Sequence, residues 1–237
     1  MCVIAIVGAG PQMGLAIART FGAQGYQVAL VSRHLAKQEA LISALAKEGI
    51  EAAAFRADVL DCASITKALA DVKQRFGPIE VLEYSPADPG VQHVCVAELT
   101  HKNLQLAFDF NVHGPFAAVA AVLPDMQARR SGTILFTTGA ASVYPHMGGR
   151  IFEIYANFAI SGAALRSYAH ALHIALAQSG IQVGHVAIGA WIGKQPGATP
   201  EAIAPLYWQL HTQRDAVEKV FFPEKAGELV PACSAVH

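Results

Sequence analysis

Short apolar runs alternate with longer amphipathic stretches along almost the whole chain. Uninterrupted β-branched and aliphatic runs predict buried strands at residues 3–7, 26–33, 51–59, 79–84, 133–138 and 181–188. Between them, apolar positions recur at helical spacing from the first glycine turn to about 23, and over 35–47, 64–76, 100–126, 155–177 and 200–211. The fourth of these helices is expected to break near Gly114-Pro115. Gly25, Gly49, Gly77 and Gly180 punctuate helix ends, and the stretch 85–90 is turn-rich. Strands alternating with helices imply an α/β fold of the Rossmann type: a doubly wound parallel sheet with helices on both faces, joined by right-handed crossovers. No repeat or linker interrupts the pattern, so residues 1–237 are expected to form one domain. A short segment at 216–223 is a candidate for a reduced last strand.

Composition narrows the picture. With 53% hydrophobic and 15% charged residues, the chain can bury a large core and still keep apolar surface for a homodimer or homotetramer. A net charge of -1 supplies no basic stripe, so nucleic acid is not an expected partner. No uninterrupted apolar run reaches membrane-span length, and the most apolar helix, 155–177, carries Asn157, Arg166, His170 and His173. The first strand starts at Cys2, leaving no room for a signal peptide. Cys2, Cys62, Cys95 and Cys233 lack C-x-x-C spacing and are expected to be reduced thiols in a cytoplasmic protein. His170-x-x-His173 has no acidic or cysteine companion, so no metal site is expected.

The most informative stretch is the strand–turn–helix at 3–18, with Gly8, Gly10 and Gly14. Gly8 can turn the chain off the strand, Gly10 can let backbone N–H groups approach a pyrophosphate, and Gly14 can let the helix pack closely. Gln12 and Met13 lie at the helix start, whose unpaired N–H groups and dipole favour an anion. A tight strand–helix turn with no ligand would also need glycine.

Taken in order, these motifs resemble the short-chain dehydrogenase/reductase family over roughly residues 3–215. Val7-Gly-Ala-Gly-Pro-Gln-Met-Gly14 is similar to the family's TGxxxGxG turn, with Val7 in place of threonine and Gln12 in place of the middle glycine. Arg33 stands at the end of the second strand, where an acidic residue would bind the ribose of NAD. A guanidinium there fits a 2′-phosphate and implies NADP(H) in preference to NAD(H), although a solvated surface arginine is the alternative. Asp58, followed by Val59, matches the family aspartate at the adenine; a helix cap is its other reading. The family's NNAG appears as Tyr84-Ser-Pro-Ala87, and Phe110-Asn111-Val-His-Gly114 matches its VNxxG. The resemblance gives Asn111 a place in the proton relay, whereas a helix kink would also use it. Ile192 resembles the residue that closes over the carboxamide.

The family's catalytic tyrosine and lysine are not both present. Counting back from Gly180-Ile-Gln-Val183 puts Phe158 and Gly162 in their places. Aligning on the nearest tyrosine selects Tyr155, with Ala159 for the lysine and Ser142 thirteen residues upstream. Thr138 is a second hydroxyl candidate, and Lys194 could supply the missing charge. A segment at about 190–215, with Tyr207, Trp208 and His211, corresponds to the family's substrate lid and points to a small, apolar substrate. The resemblance therefore implies an NADP(H)-dependent oxidoreductase acting on a carbonyl or alcohol, with Tyr155 as proton donor and Ser142 or Thr138 polarising the oxygen. The altered centre also leaves open a non-redox enzyme, or an NADP(H)-responsive regulator, on the same scaffold.

Overall fold

The computed structural model describes residues 1–87, 92–145 and 155–223. Its strands are β1 (Val3–Val7), β2 (Gln27–Ser32), β3 (Ala52–Arg56), β4 (Val81–Tyr84), β5 (Gly132–Gly139), β6 (Ile181–Ile188) and β7 (Glu218–Phe221). Its helices are α1 (Met13–Gly22), α2 (Leu35–Lys47), α3 (Cys62–Phe76), α4 (His101–Phe108), α5 (Gly114–Arg129), α6 (Ala156–Leu176), α7 (Pro200–Ile203) and α8 (Pro205–Gln213). The seven strands form one sheet in the order β3-β2-β1-β4-β5-β6-β7. Every pairing is parallel.

The strands are apolar on both faces because both faces are covered. In β1, Val3, Ala5 and Val7 enter the core shared with Ile65 and Leu69 of α3, Val119 of α5 and Leu165 of α6. The intervening Ile4 and Ile6 meet Phe21 of α1, Leu45 of α2 and Leu210 of α8. The chain leaves β1 toward β2 and later returns to β4 on the other side, so the connections diverge between β1 and β4. That divergence opens a crevice beyond the carboxyl ends of the strands, the usual ligand position in such sheets.

Several sequence expectations need correction. The helix expected to break at Gly114-Pro115 is continuous over His101–Arg129. It passes through a π turn at Asp109–His113, and Pro115 starts the next segment, where its missing N–H is tolerated. By length and composition this helix could cross a membrane, a correction to the expectation of no such span; half of its most apolar stretch is buried within the molecule. The helix expected at 200–211 divides at Ala204 into α7 and α8 because Pro205 begins a new first turn. The segment at 216–223, by contrast, does contain the expected short strand, β7. Cys2 and Cys62 are free thiols, but Cys95 is disulfide-bonded, which corrects the reading of four reduced cysteines. Cys233 lies outside the described residues.

Candidate functional site

The crevice is a cleft of about 680 Å³. Its floor comes from the ends of four strands: Gly8 and Gly10 after β1, Ser85 to Ala87 after β4, Thr137 to Gly139 of β5, and Ile188 of β6. Asn111 from the π turn, Phe158 and Gly162 from α6, His93, and Ile192 complete the walls.

The three glycines have different physical reasons. Gly8 has φ of +91°, and a Cβ there would stand 2.2 Å from Pro86 Cα. At Gly14 a Cβ would stand 2.8 Å from Ala9 Cα, so helix and turn could not pack as closely. Gly10 meets no such limit, since its nearest neighbour would be Gly8 O at 4.0 Å. The protein itself does not need glycine there, but a ligand lying on the backbone would. Gln12 makes no side-chain cap at the start of α1, which leaves that end available to an anion. Beside the turn, buried Gln38 donates to Ala9 O at 3.0 Å and Ser32 Oγ at 2.8 Å. Its Oε1 is buried without a partner among the described residues. These features fit a dinucleotide: Gly8, Gly10, Gln12, Met13 and Gly14 would hold its pyrophosphate.

At the other end of the cleft, Thr138 Oγ1 lies 2.6 Å from Ser142 Oγ. Ser142 Oγ–H can also donate to Gly139 O at 2.9 Å. Asn111 is buried and directs its amide N–H to Ser161 Oγ at 2.9 Å. Ser161 in turn bonds Asn157 O at 2.8 Å, tying the π turn to α6. Tyr84, which replaces the resembling motif's first asparagine, donates its hydroxyl to Phe110 O at 2.9 Å. The substitution therefore anchors the same π turn from the sheet side.

Not every candidate from the sequence reaches the cleft. Gly8, Gly10, Gln12, Met13, Gly14, Asn111, Thr138 and Ile192 line it, and Ser142 sits directly behind Thr138. Tyr155 is not among the described lining residues. It begins α6, with its ring 4.1 Å from His93 and 5.4 Å from Trp191. Burial raises its pKa above the ordinary tyrosine value, the opposite of what an acid at neutral pH requires. Phe158 and Gly162 do line the cleft. Half-buried Arg33 follows the end of β2, while Asp58 and Val59 follow β3; none of the three lines this cleft. Asp58 accepts from Leu60 N at 3.0 Å, and the cap of α3 is Asp61 instead, bonded to Ala63 N and Ser64 N.

The aromatics Tyr207, Trp208 and His211, expected to form a substrate lid, do not line the cleft. Tyr207 is fully buried and its hydroxyl bonds Thr137 Oγ1 at 2.6 Å. Trp208 and His211 pack against Phe21 and Tyr26 rather than lining the cleft. From the expected lid only Ala190 and Ile192 are among the described lining residues. Lys194 is exposed on a turn and does not line the cleft.

Sequence reasoning missed two buried polar systems beneath the floor. Glu83 of β4 is fully buried, accepts from Ser85 Oγ at 2.8 Å and Thr137 Oγ1 at 3.1 Å, and has its pKa pushed up by burial to about 8. His185 of β6 is fully buried, with Nε2 2.8 Å from Thr138 Oγ1 and Nδ1 3.0 Å from Glu218 Oε2. The only sequence signal for either is a polar residue interrupting an apolar strand. Among the described residues, no group of three His, Cys, Asp or Glu side chains is set to hold a metal ion.

The family model for the short chain dehydrogenases matches residues 2–192. Over 217 residues the chain is 31% identical to 2,3-dihydro-2,3-dihydroxybenzoate dehydrogenase of Bacillus subtilis, covering 91% of this chain and 75% of that protein. It is 28% identical to galactitol 2-dehydrogenase of Agrobacterium fabrum, covering 84% and 80%. Among solved structures it is similar to a short-chain dehydrogenase from Rhodopseudomonas palustris, with 25% identity, a TM-score of 0.79, and coverage of 94% and 98%. A metagenomic short-chain oxidoreductase in complex with NADP shares the fold at 24% identity and a TM-score of 0.79, covering 94% and 97%.

Proposed function

Since the chain belongs to the short-chain dehydrogenase/reductase family, and is by that an oxidoreductase using a nicotinamide cofactor, we propose that it prefers NADP(H) and interconverts an alcohol and a carbonyl on a small substrate. One observation carries this reading: a single cleft joins the glycine turn to the Thr138–Ser142 hydroxyl pair. The first end suits a pyrophosphate and the second suits a substrate oxygen. When bound, the cofactor supplies hydride exchange.

The chain's own residues would do the rest. Arg33, at the end of β2, would grip a 2′-phosphate through its planar fork, with Asp58 and Val59 toward the adenine. Ile192 would close over the nicotinamide end, and Phe158 would exclude water from it. Thr138, backed by Ser142, would bind the substrate oxygen at the cleft surface. Asn111 would hold the π turn open through Ser161. Both curated relatives are named as dehydrogenases of hydroxylated compounds, which supports a hydroxyl-bearing substrate over a purely apolar one. Exposed Phe116 on α5 and Ile174 on α6 support a homo-oligomer formed through helix faces.

The test is a titration of the purified chain with NADPH and with NADH, followed by the fluorescence of the reduced nicotinamide. NADPH is expected to bind about tenfold more tightly, as one charge-assisted contact allows. Arg33→Asp should reverse the order. Equal affinities in the wild type would remove the assignment of Arg33.

A further inference from the structure

We propose that Thr138 exchanges the reaction's proton with solvent through His185 and Glu218, a relay that crosses β5, β6 and β7 and stands in for the family's complete tyrosine–lysine pair. This rests on the function proposed above. The register makes the relay: His185 lies opposite both Phe136 and Glu218, and Thr138 is two residues beyond Phe136 on the same face of β5. The three side chains therefore share the face covered by α6 and form an unbroken line from the cleft.

Hydrogen-bond accounting gives the line a direction. Glu218 accepts from Arg166 Nε at 2.5 Å and Nη2 at 3.0 Å, as an ionised carboxylate does. His185 Nδ1, 3.0 Å from the same carboxylate, must then carry a proton and donate it. In a neutral imidazole Nε2 is consequently an acceptor, and its partner at 2.8 Å, Thr138 Oγ1, must donate. Thr138 Oγ1 keeps lone pairs for Ser142, 2.6 Å away, or for a hydroxyl in the cleft. Its contact with Gly139 O is longer, at 3.2 Å. A nucleus of this kind is poised to take a proton from an alcohol.

The groups facing His185 support this state. Glu218 faces it from β7, and Arg166 and His170 face it from α6; Tyr144 acts on Arg166. Burial lowers the His185 pKa, with Glu218 opposing and Arg166 and His170 adding to the effect. Burial pushes the Glu218 carboxyl up, but hydrogen bonds from His185, Arg166 and His170 outweigh it and hold it well below the usual range. Glu218 is not sealed in: its side chain is 16% exposed and His170 beside it is 35% exposed, giving a way out to water.

In alcohol oxidation a bound oxidised nicotinamide would take up, as hydride, the electron pair of the carbinol C–H bond that breaks. The substrate O–H bond breaks as the C=O bond forms. That proton passes to Thr138 Oγ1 while the Thr138 proton passes to His185 Nε2, and the resulting imidazolium sits against Glu218. Nδ1 then passes one proton by way of Glu218 to water, and exchange with water returns the ring to its Nδ1–H tautomer, so alcohol and oxidised cofactor yield carbonyl, reduced cofactor and a proton. Carbonyl reduction is the same sequence in reverse. Thr138 is the catalytic residue of this set; His185 and Glu218 act through it as positioning residues.

The experiment has two arms. Nitrogen NMR on the cofactor-free full chain reads the His185 tautomer directly: a protonated Nδ1 and bare Nε2 are expected at neutral pH, and a protonated Nε2 with bare Nδ1 overturns the relay whatever the enzyme does. The second arm measures turnover against pH in both directions. Thr138→Val should lower kcat about a hundredfold or more, within the range for general acid–base catalysis, while Thr138→Ser should restore most of it. Glu218→Gln should shift the apparent pKa of alcohol oxidation and lower kcat with cofactor affinity unchanged. Unaltered pH profiles in these variants would reduce the relay to a structural role. Failure of the wild type to bind or use any nicotinamide would instead overturn the proposed function, leaving the tautomer result to judge the relay geometry.

Discussion

At the scale of single residues, the glycine turn separates what the fold needs from what a ligand needs. Gly8 is fixed by the chain itself: its φ of +91° and the 2.2 Å approach to Pro86 Cα leave no place for a side chain. Gly10 has open space where its Cβ would be. Gly10→Ala is therefore expected to leave the melting temperature nearly unchanged while weakening NADPH binding by about tenfold or more, equivalent to roughly 1.4 kcal/mol. Gly8→Ala should instead lower stability by a few kcal/mol, on the order expected for a positive-φ position combined with a backbone clash. Calorimetry and cofactor titration on the two variants check both statements. An alanine at residue 10 that leaves affinity intact would show that the pyrophosphate does not lie on this backbone.

At the scale of elements, most of the framework was legible because burial on both sheet faces writes itself as continuous apolar runs. Three elements, Val3–Val7, Leu35–Lys47 and Ile181–Ile188, have the very boundaries that periodicity and flanking glycines gave them. The π turn at Asp109–His113 was not legible, since it arises from Tyr84 gripping Phe110 O across the fold. Nor was the His185–Glu218 pair, because register across β6 and β7 is a tertiary fact that neither strand states alone. The cap of α3 illustrates the same limit at short range. Two aspartates compete, and the one three residues nearer the helix takes the role, leaving Asp58 to close a local turn. Asp61→Ala should accordingly cost about 1 kcal/mol, as lost N-caps do. Chemical denaturation would register it, and NADPH affinity should not move. If Asp58→Ala costs as much stability as Asp61→Ala, the division of roles between them is wrong.

At the scale of the whole molecule, the carboxyl buried in the centre of the sheet ties stability to pH. Glu83 lies on β4, paired with β1 and β5, and two hydroxyls meet it at 2.8 and 3.1 Å. Burial raises its folded pKa from 4.5 to about 8, only partly offset by the bonds from Ser85 and Thr137. Between those values the folded chain keeps a proton that the unfolded chain has lost. The contribution of Glu83 is thus fully present below 4.5 and declines as pH rises toward about 8, by up to about 1.4 kcal/mol per pH unit. Glu218 works in the other direction: its lowered folded pKa gives stability that is present above the unfolded value and lost as pH falls. His185, with its pKa also lowered, disfavours the fold progressively as pH drops below 6.5. Because these histidine and glutamate contributions overlap, the measurement must be a difference. Urea midpoints for the wild type and Glu83→Gln, taken from pH 5 to 8, subtract the shared groups. The variant, which carries no proton to lose, should gain relative stability steadily across that interval. Parallel curves would mean that Glu83 is already ionised in the folded sheet, and that Thr137 and Ser85 hold a buried carboxylate beneath the cleft rather than a neutral acid.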